Sequence, residues 1–286
     1  MKYIVSVENT SYFYWQLELL IESFLIHGLQ DDLIICFAEN ESPKIGGYSK
    51  NLIKYGKKII HENVGREKNF LPANRFYAIR NMVVSGGLEP PFTIIHSDMI
   101  LKNPIDKYNK EYDIIINNYG VNKNSETIAY VEETGLKQKL LEREGIQEDY
   151  IDSFPFSMPI IFNESLKKEF INNFFDKLII NLEQLIKTKP SSFPIEKTCW
   201  TYTFLESLGF YTATGAFLTT ELIHEEDLDA PFIHYKRGVP PIFNKKSFKF
   251  HDAVKYPTGP YECFLENNNT PNSNYVCNVI KSYLRK

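Results

Sequence analysis

The segment TIIHSDMIL, residues 93–101, drives an apolar run straight into His96, Ser97 and Asp98 and then returns to apolar residues. A carboxylate at the C-terminal end of a buried strand is well placed to hold a divalent cation. Hard ions such as Mg2+ or Mn2+ commonly bridge to substrate phosphates from only one or two carboxylates. The competing reading is that Asp98 caps a turn. His96 is a further candidate ligand, its direction set by how the strand ends. A second segment, APFIHYKRG at residues 230–238, again ends an apolar run, this time in His234 followed by Lys236 and Arg237. Imidazole ligates softer divalent ions such as Mn2+, and adjacent cations can clamp a diphosphate. A single histidine of this kind also serves as an ordinary structural residue. Two strand-end groups of complementary chemistry, Asp98 with His234 and Lys236, favour a site for a diphosphate and a metal ion.

Basic residues ahead of Asp98 are a third feature. Asn74, Arg75 and Arg80 fall on one short helix, with the two arginines not quite on one face. Arg75 and Arg80 are candidate donor-phosphate ligands, and at least one of them also reads as a solvated surface charge. The chain contains no GxGxxG, GxxxxGK[ST] or GxSxG pattern, so a dinucleotide loop, a P-loop and a hydrolase nucleophile elbow are all unsupported.

These groups need elements to carry them. KYIVSVEN at 2–9 reads as a buried parallel strand opening onto a site at its C-terminal end. Thr10 or Ser11 then caps a helix on which Trp15, Leu19, Ile21 or Glu22, and Leu25 or Ile26 recur at helical spacing until Gly28. Strands are expected at 32–40, 57–63, 92–98, 112–118 and 158–163, with helices at about 72–84, 135–144, from a cap at Asn163 or Ser165, and 197–208. Short strands near 210–217 and 231–235 follow, and beyond Pro240 the Pro- and Asn-rich tail reads as weakly structured or wrapped on the surface. The alternation of strand and helix predicts an α/β fold with a sheet flanked by helices.

Composition narrows the classes. With 286 residues, 43% hydrophobic and 24% charged, the chain can bury a sizeable core and is unlike a disordered protein. A net charge of −4 with scattered lysines argues against a phosphate-backbone binder and leaves nucleic acid only as an acceptor. No signal-like segment and no run of 18 uncharged apolar residues is present, which predicts a cytoplasmic protein without a membrane partner. Cys36, Cys199, Cys263 and Cys277 form no CxxC pair and read as buried thiols.

The blocks VSVENTSYFYWQLELLIESF, NRFYAIRN, IIHSDMIL, FPFSMPIIFN, EKTCW and FIHYKRG occur in the order and approximate spacing of those in the hydroxyproline O-arabinosyltransferase and peptidyl-serine galactosyltransferase group. The chain resembles a distant member of that group over roughly residues 3–238. The resemblance implies a single Rossmann-like domain of the GT-A type over 1–240. Its nucleotide-sugar part would span about 1–105 and its acceptor part about 106–240, with 241–286 packed on the domain as a C-terminal extension. It implies a metal-dependent glycosyltransferase, using Mn2+ or Mg2+, that moves a hexosyl or pentosyl group from a nucleoside-diphosphate sugar to an acceptor hydroxyl. A UDP-sugar donor, a glycan, protein or other hydroxyl acceptor, and retention at the anomeric carbon are what the group suggests. Asp98 matches the acid of a DxD-like motif, with His96 in place of the first acid. His234 of the His234-Tyr235 pair matches a metal ligand, Glu196 ahead of Lys197 and Trp200 matches a site carboxylate, and Val7 and Glu8 lie against the base. Ser97 and Lys236 join the donor-binding set.

Two other classes share these residues. A nucleotidyltransferase uses the same layout and metal-diphosphate chemistry but usually carries a Gly-rich loop after its first strand, and VENTSYFYW holds no glycine. A non-catalytic carbohydrate-binding protein on a decayed transferase fold is the other, suggested by the incomplete acid pair.

Overall fold

The computed structural model describes residues 1–8, 11–39, 58–63, 70, 72–105, 111–117, 125–143, 146–152, 154, 158–207, 212–215, 219–220, 230–234 and 271–285. Its centre is a mixed sheet of seven strands: β1 (Lys2–Glu8), β2 (Leu33–Glu39), β3 (Lys58–Asn63), β4 (Phe92–Ile95), β6 (Ile114–Asn117), β7 (Ile160–Phe162) and β8 (Thr212–Gly215). They lie in the order β3-β2-β1-β4-β7-β6-β8. β1 runs parallel to both β2 and β4, and β7 is antiparallel to both β4 and β6. Tyr3 to Val7 are all buried, as expected of a central strand covered on both faces.

A second, three-stranded sheet is built from β5 (Met99–Leu101), β9 (Thr219–Thr220) and β10 (Phe232–His234), with β10 in the middle. β10 pairs antiparallel with β5, placing His234 opposite Met99. The apolar run from 92 to 101 is therefore two strands belonging to two sheets, joined by the turn at His96, Ser97 and Asp98. Strand structure ends at Ile95, three residues earlier than the apolar pattern predicts.

Helix α1 (Ser11–Ile26) packs between these layers. Tyr3 of β1 meets Phe24 of α1 edge-on at 5.0 Å and Phe232 of β10 at 6.1 Å. Because partners lie on several sides, the buried set is wider than the predicted stripe: Gln16, Leu17, Leu19, Leu20, Ile21, Glu22, Ser23 and Phe24 are all inside, whereas Ile26 is exposed. The helix stops at Gly28, whose φ of +68° a Cβ would strain. Leu29 N–H donates to Phe24 O and Gly28 N–H to Leu25 O, satisfying carbonyls that helix ends leave open.

Helix α2 (Ala73–Arg80) runs into a wide π turn at Asn81–Ser85 and covers β1 and β2. α3 (Ser125–Glu133), α4 (Leu136–Leu141) and α5 (Glu148–Asp152) follow β6. Lys137 of α4 sits among Glu132, Glu148 and Asp152 at 2.8–3.0 Å and ties the three helices together. α6 (Lys168–Thr188) presents Ile171, Phe174, Phe175, Leu178, Leu182 and Leu185 to the core. This helix starts later than the predicted caps. Asn163 instead accepts from Glu164 N–H and donates to Tyr112 O, and the Ser165 hydroxyl bonds Asp113, so both residues fasten the loop to the start of β6.

α7 (Ile195–Glu206) buries Trp200 among Phe76, Phe174, Phe175 and Phe204, with ring centroids 5.6–6.4 Å apart. The tail beyond Pro240 contains a helix that its composition hides, α8 (Pro271–Leu284). Val276, Cys277, Val279 and Ile280 form a second core with Leu19, Ile100 and Ile233. Tertiary burial of that face stabilises a segment whose first turn has weak helix formers. Cys36, Cys199 and Cys277 are buried, and burial pushes the Cys199 thiol well up, which keeps it unreactive. No described helix is long and apolar enough to cross a membrane.

Candidate functional site

The turn where the chain passes from one sheet to the other gathers the candidate ligands. Asp98 is 7% exposed and His234 5%, so the carboxylate is nearly out of water and requires a compensating charge or donor. His234 Nε2 lies 3.2 Å from Asp98 Oδ1, and His96 Nδ1 lies 3.9 Å from the same oxygen. The two imidazole rings meet edge-on at 5.8 Å. Each of the three side chains offers a ligand atom, and these atoms fall within 4.8 Å of one another. Ligands each about 2.0–2.6 Å from one ion lie within roughly 5 Å of each other, so the cluster fits a single cation. One carboxylate and two imidazoles suit an ion of the Mn2+ type better than an all-oxygen Mg2+ or Ca2+ cage.

The convergence of His234 with Asp98 has a different cause from the one parallel strands would supply. β10 is no neighbour of β4 in the central sheet. It runs antiparallel to β5, and the pairing of His234 with Met99 sets it directly beside the residue before Met99.

Beside the cluster, Glu196 occupies the first turn of α7, where a carboxylate is favoured by the helix dipole. Its Oε1 is 3.9 Å from His96 Nε2 and its Oε2 accepts from Arg75 Nη2 at 3.0 Å. His96 thus stands between Asp98 and Glu196. Arg75 lies over the Phe13 ring at 5.9 Å. Burial raises the Glu8 carboxyl above its ordinary range. Arg75 opposes that shift and Glu196 adds to it, which places all three charges in one corner.

The remaining candidates divide. Val7 is 1% exposed within the main core, so its side chain has no surface to offer a base, and only Glu8 of that pair stands among the site charges. Ser97 spends its hydroxyl on Gln16, donating to Oε1 at 2.9 Å. Arg80 is five positions beyond Arg75, about 140° around the helix, and its Nε and Nη2 bond Asp176 of α6 at 2.9 and 2.7 Å. It belongs to the α2–α6 contact rather than to the cation cluster. Lys236, Tyr235 and Arg237 lie outside the described residues. Two residues beside the candidate site, Phe13 and Gln16, are not singled out by the sequence, because a lone aromatic or glutamine within an apolar helix carries no local signal of what it meets.

No protein-family model and no curated protein matches the chain. Among solved structures, the bifunctional glycosyltransferase WbbM in its apo form is 15% identical, with 98% of this chain and 51% of that one aligned at a TM-score of 0.52. The galactosyltransferase LgtC, solved with donor and acceptor sugar analogues, is 10% identical over 99% of this chain and 96% of that one at a TM-score of 0.48. A glycosyltransferase involved in glycosylation of the major capsid of PBCV-1 is 14% identical over 82% and 93% at 0.42. The chain spans about half the length of WbbM. The resemblance to the hydroxyproline O-arabinosyltransferase group rests on its sequence blocks alone. The architecture, a mixed sheet flanked by helices, is the GT-A-like fold found in glycosyltransferases.

Proposed function

We propose that this chain transfers a sugar from a nucleoside-diphosphate sugar, a UDP-sugar in the first instance, to an acceptor hydroxyl, with a divalent cation held by Asp98, His234 and His96. The observation that carries this reading is the convergence of those three side chains beside the Arg75–Glu196 pair, at the turn where β4 passes into β5. A divalent cation bound there supplies stabilisation for the negative charge that grows on a departing diphosphate.

The chain's own groups supply the rest. Asp98 and His234, both buried, hold their ligand atoms in a fixed arrangement, so little reorganisation accompanies binding. Arg75 keeps the Glu196 carboxylate turned toward His96, where it can orient an acceptor hydroxyl or steady positive charge at the anomeric carbon. Glu8, at the end of β1, is the proposed contact for a nucleotide base or ribose, since ligands of open α/β sheets collect at strand ends. Lys236, two residues after His234, is the proposed second cation on the diphosphate.

A thermal-shift screen of UDP and UDP-sugars with and without Mn2+ tests the reading. A ligand that binds only the native state adds about 2.7 kcal/mol at a hundredfold excess over its Kd, an easily read shift. Stabilisation by UDP that needs Mn2+ is expected. A carbohydrate-binding protein without transferase chemistry would respond to free sugars and ignore the nucleotide.

A further inference from the structure

The face of α1 that meets the turn carries two buried polar side chains among apolar ones such as Leu19 and Leu20. Gln16 and Ser23 are both 0% exposed, and their separation of seven residues, close to two helical turns, puts them on one face. Each fastens the segment that carries the candidate ligands. Ser97 Oγ donates to Gln16 Oε1 at 2.9 Å. Leu101 N–H donates to Ser23 Oγ at 3.0 Å, and the Ser23 hydroxyl donates in turn to Leu20 O at 2.6 Å. One turn further, His27 Nε2 lies 2.9 Å from the Tyr275 hydroxyl, which donates to Leu101 O at 2.8 Å. Both ends of residues 97–101 are therefore tied to α1 through side chains.

Apolar residues at 16 and 23 would fill the same space without the desolvation that a buried amide and hydroxyl incur. What they would not do is fix the rotation of the turn. Ser97 sits between His96 and Asp98, so the direction of its side chain constrains how the two flanking side chains are aimed. Hydrogen bonds made directly to ligands orient them, and losing one lowers metal affinity about 10- to 100-fold; the Ser97–Gln16 bond acts one residue away from two ligands, so the low end of that range applies to it.

We propose that Gln16 is a positioning residue for the cation site, acting through Ser97 to hold the 96–98 turn in the arrangement that brings His96 and Asp98 to His234. The inference rests on the metal reading above and adds to it a residue from a different element.

The test is Mn2+ binding to the full chain, followed by the loss of the free-ion electron paramagnetic resonance signal, for wild type, Gln16→Leu, Ser97→Ala and the double variant, with the melting temperature of each. Each single variant is expected to raise the Mn2+ dissociation constant about 10-fold, the low end of the range for direct partners of ligands, and the double variant no further than the weaker-binding single one, because both remove the same hydrogen bond. Ser97→Ala removes one oxygen from the turn and carries the test if Gln16→Leu does not fold. Wild-type Mn2+ affinity in the folded variants, with only their melting temperatures lowered, would make the contact structural and overturn the proposal. A wild-type chain that takes up no Mn2+ would overturn the metal reading, and this inference with it.

Discussion

Removing Arg75 and Glu196 singly and together isolates the contact on which the orientation of the site carboxylate depends. The pair is 3.0 Å apart with side chains 19% and 34% exposed, so water screens it only in part. Fully exposed ion pairs contribute about 0–1 kcal/mol and hydrogen bonds to charged groups about 1.5–3 kcal/mol. A coupling of about 1–2 kcal/mol between Arg75→Ala and Glu196→Ala is therefore expected, equivalent to about 5- to 30-fold in an equilibrium constant. The two single variants are not equivalent. Arg75 is also the group that opposes the rise of the Glu8 carboxyl, while Glu196 contributes to that rise. Arg75→Ala leaves two like charges facing each other across a partly buried corner, whereas Glu196→Ala relieves Glu8. The arginine variant is expected to be the more destabilised of the two at pH 7. Urea denaturation of the four proteins reads the coupling directly. A coupling below about 0.3 kcal/mol, within the error expected for independent sites, or a glutamate variant as unstable as the arginine one, would refute the shared-charge arrangement.

Other outcomes follow from the same geometry. The Glu8 carboxyl is raised by burial, so folding binds its proton more tightly. Stability is then lost as pH rises from the ordinary carboxylate range through the folded value, and the penalty is fully present above it. Glu8→Gln is expected to raise the melting temperature at pH 7, with the gain vanishing in acid, and an equal gain at both pH values would show that charge is not the cause. Trp200→Ala, at a residue 1% exposed on the helix that presents Glu196, is expected to lower stability by about 3–5 kcal/mol. A loss under 1 kcal/mol in urea would mean that the aromatic cluster around α7 repacks freely.

How far the sequence speaks for itself varies by element. β1, β2, β4 and β7 are legible because buried strands leave unbroken apolar runs, and Gly28 is legible as a helix stop because its backbone needs a positive φ. The run from Phe92 to Leu101 hides a change of sheet, since both strands are buried and apolar residues carry no mark of which sheet they join. α3 and α8 are missed for a related reason. SETIAYVEE is short and polar, and α8 opens on Pro271, Asn272 and Ser273, so each depends on tertiary burial that local pattern does not report. Within the candidate site, His96, Asp98 and His234 stand out in the sequence because each is a polar group ending an apolar run, and the structure brings the three together. The partners of Arg75 and Arg80 are unreadable from spacing, because Glu196 and Asp176 lie 121 and 96 positions away. Only the packing of α2 against α6 and α7 decides which arginine faces the site.

Release of UDP from a UDP-sugar by the purified chain, measured with Mn2+, with chelator, and with Asp98→Ala, bears most directly on the central claim. Turnover is expected with Mn2+, with its disappearance under chelation and in a folded Asp98→Ala protein, since Asp98 is the carboxylate of the candidate His96–Asp98–His234 cluster. Chelator-resistant release that survives Asp98→Ala would contradict the claim that this cluster holds a cation for sugar transfer.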